Sequence, residues 1–83
     1  MVSREEKEAE NEVKDIGIFV GNKVRAVRES NNISQEALAE DAGFHRTYIS
    51  HIECATRNIT VYSLVRIARA LKVKPSTLLE GLK

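Results

Sequence analysis

The sequence has no tryptophan, one proline and one cysteine, and it contains no long apolar run. A single cysteine cannot form an intramolecular disulfide, so we expect a protein of the reducing cytoplasm rather than a disulfide-stabilised secreted domain. The apolar runs are too short to cross a bilayer and the N-terminus is charged, so we expect neither a membrane partner nor a signal peptide. Because only 5% of the residues are aromatic, the core should be aliphatic.

Charge is unevenly distributed along the chain, although the net charge is only +1. Residues 1–15 contain three basic and six acidic side chains, whereas the remainder contains ten basic and six acidic ones. We therefore divide the chain into an acidic leader, residues 1–17, and a moderately basic domain, residues 18–83. The leader is expected to be a marginal helix or a disordered segment, because Gly17 weakens any continuation into the next helix. The basic domain favours a polyanionic partner.

Apolar residues recur at helical spacing along the domain, and no alternating strand pattern is present. Val20, Val24 and Val27 form one buried face, which predicts a helix over residues 19–30 that Asn31 and Asn32 end. Four more helices are expected. The second covers residues 35–42 after the cap Ser34, and the third covers residues 45–54. The fourth follows the cap Thr60, the fifth runs from Pro75 to Leu82, and the apolar face of the fourth consists of Val61, Leu64, Val65, Ala68 and Leu71. The predicted class is all-helical.

The stretch SQEALAEDAGFHRTYISHIE, which begins at Ser34, has the spacing of a helix-turn-helix. Two helices that cross over a tight turn need a small residue at their contact, and Ala39 meets that need. Gly43 supplies the positive φ of the turn at no steric cost. The apolar residues Leu38, Phe44, Ile49 and Ile52 then face a common core. The second helix displays a polar set outward: His45, Arg46, Thr47, Tyr48 and His51.

Over residues 18–82 the sequence resembles the Cro/repressor-type, or XRE-like, helix-turn-helix regulators of phages and bacteria. The segments HRTYISHIE and RNIT are most similar to the controller proteins of restriction–modification systems. The resemblance implies a compact five-helix, lambda-repressor-like DNA-binding domain, with the leader as an extra N-terminal element. It also implies a homodimer on a double-stranded DNA operator, joined through the last helix.

The resemblance also implies roles for individual residues. Positions that face base edges in the major groove are His45, Arg46, Thr47 and His51. Positions that contact the DNA backbone are Gln35, Tyr48, Arg57 and Asn58, although Tyr48 is equally suited to covering the edge of the core. A structural ion pair is implied between Arg28 and Glu53. The apolar residues expected in the dimer interface are Leu78, Leu79 and Leu82.

Four positions carry further expectations. Ala55 stands where the family usually has glycine, and a left-handed alanine costs about 1 kcal/mol, so the third helix is expected to end differently. Cys54 is expected to be a half-buried thiol. Arg66 and Arg69 are expected to lie on the open face of the fourth helix and to be solvated.

The favoured function is a transcriptional regulator, most sharply the autoregulating controller of a restriction–modification operon. The alternatives are a general phage or bacterial repressor and an antitoxin or protein-interaction adaptor. An enzyme is not expected, because the sequence has no nucleophile–base pairing, glycine-rich phosphate loop or metal cluster. His51 and Cys54 supply two metal ligands without a third, so we expect no metal, cofactor or small-molecule ligand.

Overall fold

The computed structural model describes residues 2–83, and every regular element in that range is helical. The elements are α1 (Arg4–Ser30), α2 (Gln35–Ala42), α3 (Arg46–Glu53), α4 (Val61–Ala70) and a 3-10 helix (Pro75–Leu79). The predicted all-helical class is confirmed, but the predicted count of five α-helices is not. The last element is a 3-10 helix that ends at Leu79, because Glu80 is extended and Gly81 adopts a φ of 90°.

The helix starts follow from local capping chemistry. Ser3, Ser34 and Thr60 are N-caps, and each side-chain oxygen accepts a hydrogen bond of 3.0–3.1 Å from the backbone N–H three residues later. These bonds satisfy N–H groups that have no partner within the helix. The caps Ser34 and Thr60, which were predicted from the sequence, are therefore confirmed.

α1 is continuous for 27 residues and includes most of the acidic leader. Gly17 does not interrupt the helix, because a helical glycine costs only about 1 kcal/mol relative to alanine and the packing of Val20 and Val24 compensates for it. Residues 2–15 are exposed throughout. Whether residues 1–17 behave separately from 18–83 remains a prediction, and Met1 lies outside the described residues. No helix in the described range combines the length and apolarity needed to span a membrane.

One apolar core joins all five elements. Its fully buried members include Val24 of α1, Leu38 of α2, Ile49 of α3, Ile67 of α4 and Leu78 of the 3-10 helix. The sequence predicted most of this set from periodicity. Two expectations are wrong: Leu78 is 0% exposed, so it packs inside rather than at an interface, and Val61 is 80% exposed because it begins α4 beyond the edge of the core.

The contact between α1 and α3 depends on Gly21. This buried glycine lies against the C-terminal turn of α3, where an added Cβ would stand 2.4 Å from the carbonyl oxygen of Ile52 and 3.0 Å from that of Glu53. Both atoms belong to the backbone and cannot rotate away. Gly21 therefore sets how closely the first helix approaches the third.

A left-handed residue follows each of the four α-helices, and after α4 it is Lys72, with a φ of 59°. Asn32 has a φ of 57° after α1 and Gly43 a φ of 80° after α2, as the sequence predicted. Ala55 has a φ of 59° after α3, so the expectation of a different ending is wrong. The backbone N–H of Thr56 donates to the carbonyl of His51 at 2.9 Å, and this bond closes the helix end despite the steric cost at Ala55.

Candidate DNA interface

The third helix is fixed to the core from one side and open at its start. Ile49 and Ile52 are 0% and 2% exposed, whereas His45, Arg46 and Thr47 are all exposed. His45 is the N-cap residue and makes no side-chain capping bond. His51 lies one turn further along and is half-buried. Three of the four side chains predicted to read bases are therefore at the accessible end of a rigid helix.

Arg46 forms an ion pair across the turn. Its Nε contacts Oε1 of Glu36, which lies in the first turn of α2. Both side chains remain largely exposed, at 62% and 66%. The pair joins the start of α2 to the start of α3 on the outer face of the helix-turn-helix.

Tyr48 connects the third helix to the segment that follows it. Its hydroxyl donates a 2.7 Å hydrogen bond to Oγ of Ser63, and its ring lies 4.9 Å from the ring of Phe44. The guanidinium of Arg57 lies 5.6 Å from the Tyr48 ring centroid, within cation–π range. While the bond to Ser63 is made, the hydroxyl has no second hydrogen to offer a phosphate oxygen. A DNA-backbone contact from Tyr48 thus requires it to exchange Ser63 for phosphate.

A buried carboxylate joins the other predicted residues. The side chain of Glu53 is 0% exposed and accepts hydrogen bonds from Arg28, at 2.6 and 3.0 Å, from Gln35 at 3.0 Å and from Arg25 at 3.4 Å. Arg28 also donates to the carbonyl of Ile33 at 2.8 Å. The predicted partners Arg28 and Glu53 therefore lie together, and this network connects α1, α2 and α3.

Gln35 belongs to this network as well as to the predicted DNA contacts. An amide NH₂ carries two hydrogens, and Glu53 accepts only one of them. The second hydrogen remains available to a phosphate at the N-terminus of α2, where the helix dipole favours an anion. The other predicted backbone contacts, Arg57 and Asn58, are exposed in the loop between α3 and α4.

The network determines the protonation of its carboxylate. Burial by itself raises the pKa of Glu53, but the hydrogen bonds from Arg28, Gln35 and Arg25 and the charge of Arg28 outweigh burial. The pKa of Glu53 therefore lies below that of a free glutamate. The hydrogen bond to Glu53 correspondingly raises the pKa of Arg28.

The lowered pKa predicts acid-sensitive stability. A carboxylate whose pKa is depressed by folding stabilises the protein above its unfolded pKa, about 4.3, and this contribution is lost as pH falls through the folded value. We expect the contribution of Glu53 to the urea midpoint to be constant between pH 5.5 and 7.5 and to decline below about pH 4.3. Glu53→Gln should be less stable at neutral pH and should show a smaller decline in acid. Equal pH profiles for the two proteins would contradict this assignment.

Several side chains, among them Glu36, Ser63 and Arg66, make contacts that no sequence pattern indicated. The contacts of Glu36 with Arg46 and of Ser63 with Tyr48 carried no periodic or motif signal, because the two residues of each pair are ten or more positions apart. Arg66 was expected to be solvated, but its Nε donates to the carbonyl of Ala42 at 3.1 Å. That carbonyl lies in the last turn of α2, whose C=O groups lack helical partners. Cys54 was expected to be half-buried and is exposed.

The geometry defines a helix-turn-helix protein: two eight-residue helices joined by a left-handed glycine, with the second helix open at its N-terminus. Residues 24–78 match the model of the helix-turn-helix family. Among residues 2–83 there is no group of three or more side chains suited to holding a metal ion.

Within the helix-turn-helix proteins, the chain is similar to control proteins of restriction–modification systems. The chain is 46% identical over 67 residues to the control protein C.BamHI of Bacillus amyloliquefaciens, covering 80% of this chain and 83% of the relative. It is 45% identical over 71 residues to the control protein C.SmaI of Serratia marcescens, covering 83% and 84%. The crystal structure of the restriction–modification controller protein C.AhdI from Aeromonas hydrophila superposes with a TM-score of 0.73 at 31% identity, covering 75% of this chain and 94% of that one. The chain therefore belongs to the helix-turn-helix family of transcriptional regulators, in the group that includes the restriction–modification control proteins.

Proposed function

We propose that this regulator is a homodimer that binds a two-fold DNA operator and controls transcription of its own restriction–modification operon. The observation that carries the proposal is the exposed first turn of α3, with the rest of that helix fixed in the core. A helix held in this way can enter the major groove without losing conformational freedom on binding. The protein acts by binding rather than by catalysis, and its place of action is the cytoplasm.

The proposed DNA-binding residues fall into two groups, one that contacts bases and one that contacts the DNA backbone. His45, Arg46, Thr47 and His51 read base edges. The backbone group, which consists of Gln35, Tyr48, Arg57 and Asn58, sets the register on the duplex. Hydrogen bonds to phosphate position a protein without reading sequence, whereas contacts to base edges discriminate among sequences. The cation–π contact with Tyr48 supports this division, because it places Arg57 beside the third helix.

An exposed apolar surface supports the dimer. Leu79 and Leu82 are 39% and 37% exposed and Val61 is 80% exposed. Leu79 and Val61 line a shallow hollow of about 180 Å³ that also includes Ile16 and Leu64. Exposed apolar surface of this kind favours a partner, and a second copy related by two-fold symmetry covers the same patch on both subunits. We therefore place the interface at Leu79, Leu82 and Val61, in place of the buried Leu78.

The dimer is tested by sedimentation. We expect the wild-type chain to be dimeric at high micromolar concentration, with recognition helices about 34 Å apart on DNA. Leu79→Asp should shift it to monomer, because a carboxylate at the centre of an apolar interface is not solvated. Val2→Asp, which changes an exposed apolar residue outside the helices, is the control and should remain dimeric. A wild-type protein that is monomeric with and without DNA contradicts the proposed dimer.

Autoregulation is tested with a reporter fused to the promoter of the chain's own gene. We expect activation at low dose and repression at high dose, as paired half-sites fill in turn. Repression alone at every dose would favour the general-repressor alternative. A reporter that does not respond at any expression level would reject autoregulation and favour the adaptor alternative.

A further inference from the structure

The ion pair between Glu36 and Arg46 has no evident structural purpose. Both side chains are more than half exposed, and exposed ion pairs contribute little to folding stability. The carboxylate of Glu36 also lies beside the surface proposed to face DNA, where a negative charge opposes binding to phosphates. A role in stability or in general DNA affinity therefore does not account for the pair.

The geometry of the pair leaves the reading end of Arg46 free. Arginine has five N–H donors, and Glu36 occupies the one on Nε. The two terminal nitrogens remain available, and a bidentate contact to O6 and N7 of guanine needs only two donors. A long arginine side chain otherwise loses rotamer freedom when it binds, which lowers affinity.

We propose that Glu36 is a positioning residue that holds Arg46 in its base-reading orientation before DNA arrives. This inference rests on the proposed function of Arg46. Glu36 then has two opposite effects on binding: its charge weakens attachment to any DNA, and its hold on Arg46 strengthens attachment to the operator alone. A residue that acts only through its charge changes both affinities in the same direction.

The experiment measures affinity for two duplexes by fluorescence anisotropy at fixed salt. One duplex is selected by the wild-type protein from a random pool, and the other is a scrambled version of the same composition. We expect Glu36→Ala to lower the ratio of selected to scrambled affinity by about fivefold. Without Glu36, the Arg46 side chain loses its conformational entropy when it binds the operator instead of beforehand. The affinity of this variant for scrambled DNA should rise. Glu36→Gln, which keeps an acceptor for Nε, should restore most of the ratio.

Two controls separate positioning from charge and from direct contact. Glu40 lies on the same helix as Glu36, and its exposed carboxylate forms no ion pair within residues 2–83. Glu40→Ala should therefore leave the ratio of selected to scrambled affinity unchanged. In an Arg46→Ala background, Glu36→Ala should also leave the ratio unchanged. Circular dichroism should confirm that all variants are folded.

The outcomes distinguish failure of this inference from failure of the proposed function. If the wild-type protein does not discriminate between the two duplexes, the proposed function is rejected and the inference with it. If the wild-type protein discriminates but Glu36→Ala behaves like Glu40→Ala, only the inference is overturned. It is also overturned if the effect of Glu36→Ala persists without Arg46, because Glu36 then acts on DNA directly.

Discussion

Replacing Gly21 with alanine is expected to lower the free energy of unfolding by about 3 kcal/mol, at the upper end of what overpacking costs. The added Cβ would stand 2.4 Å from the carbonyl oxygen of Ile52, so α1 and α3 must separate. Separation also disturbs the network between Arg28 and Glu53, which joins the same two helices. In a chain of this size, the melting temperature should fall by roughly 12–24 °C.

Gly17 provides the matched control in the same helix. A Cβ at that position would lie 3.8 Å from Cβ of Ala55, an ordinary contact. Gly17→Ala should therefore stabilise the protein by about 0.5–1 kcal/mol through its better helix propensity. Thermal and urea unfolding followed by circular dichroism measure both changes. Equal effects of the two substitutions would mean that the approach of α1 to α3 does not depend on Gly21.

Replacing Arg46 with alanine is expected to remove most discrimination between operator and random DNA. A bidentate arginine–guanine contact contributes about 1–3 kcal/mol of discrimination, and a dimer makes one such contact in each half-site. Affinity for random DNA should change little, because it depends on the total of the phosphate contacts. The measurement is affinity for an operator and a scrambled duplex over a series of salt concentrations.

Arg57→Ala is the control, because it removes the same charge from a side chain proposed to contact phosphate. It should weaken binding to both duplexes similarly. The slope of the logarithm of the binding constant against the logarithm of the salt concentration should become shallower by about one unit per protomer. A protein that binds by charge alone would respond identically to the two substitutions. If Arg46→Ala lowers both affinities equally, Arg46 does not read a base.

Much of the fold was predictable because it depends on neighbours in sequence. The N-caps Ser34 and Thr60 bond to backbone three residues away, and the left-handed Gly43 needs no partner outside the turn. The spacing of Val20 and Val24 gave one buried helical face. The polar set at the start of α3 followed from the same periodicity.

At Gly17 and Ala55, packing and helix-end hydrogen bonds outweighed a local conformational penalty. Gly17 did not interrupt α1, and Ala55 accepted a left-handed φ, because helix packing and end-closing bonds exceed penalties of about 1 kcal/mol. Leu78 was assigned to an interface because it lies in an apolar final segment. Its burial depends on how that segment folds back over the core, which spacing alone cannot specify.

The sequence by itself determined the all-helical class, the starts of the helices after α1, the glycine turn and the identity of the side chains that α3 can present. These features follow from interactions over three or four residues. Tertiary structure alone decided that Gly21 lies against the end of α3, that Tyr48 bonds to Ser63 and that Glu36 pairs with Arg46. Each of these contacts joins residues from ten to more than thirty positions apart. Their distances depend on the crossing of whole helices, so no local pattern could have indicated them.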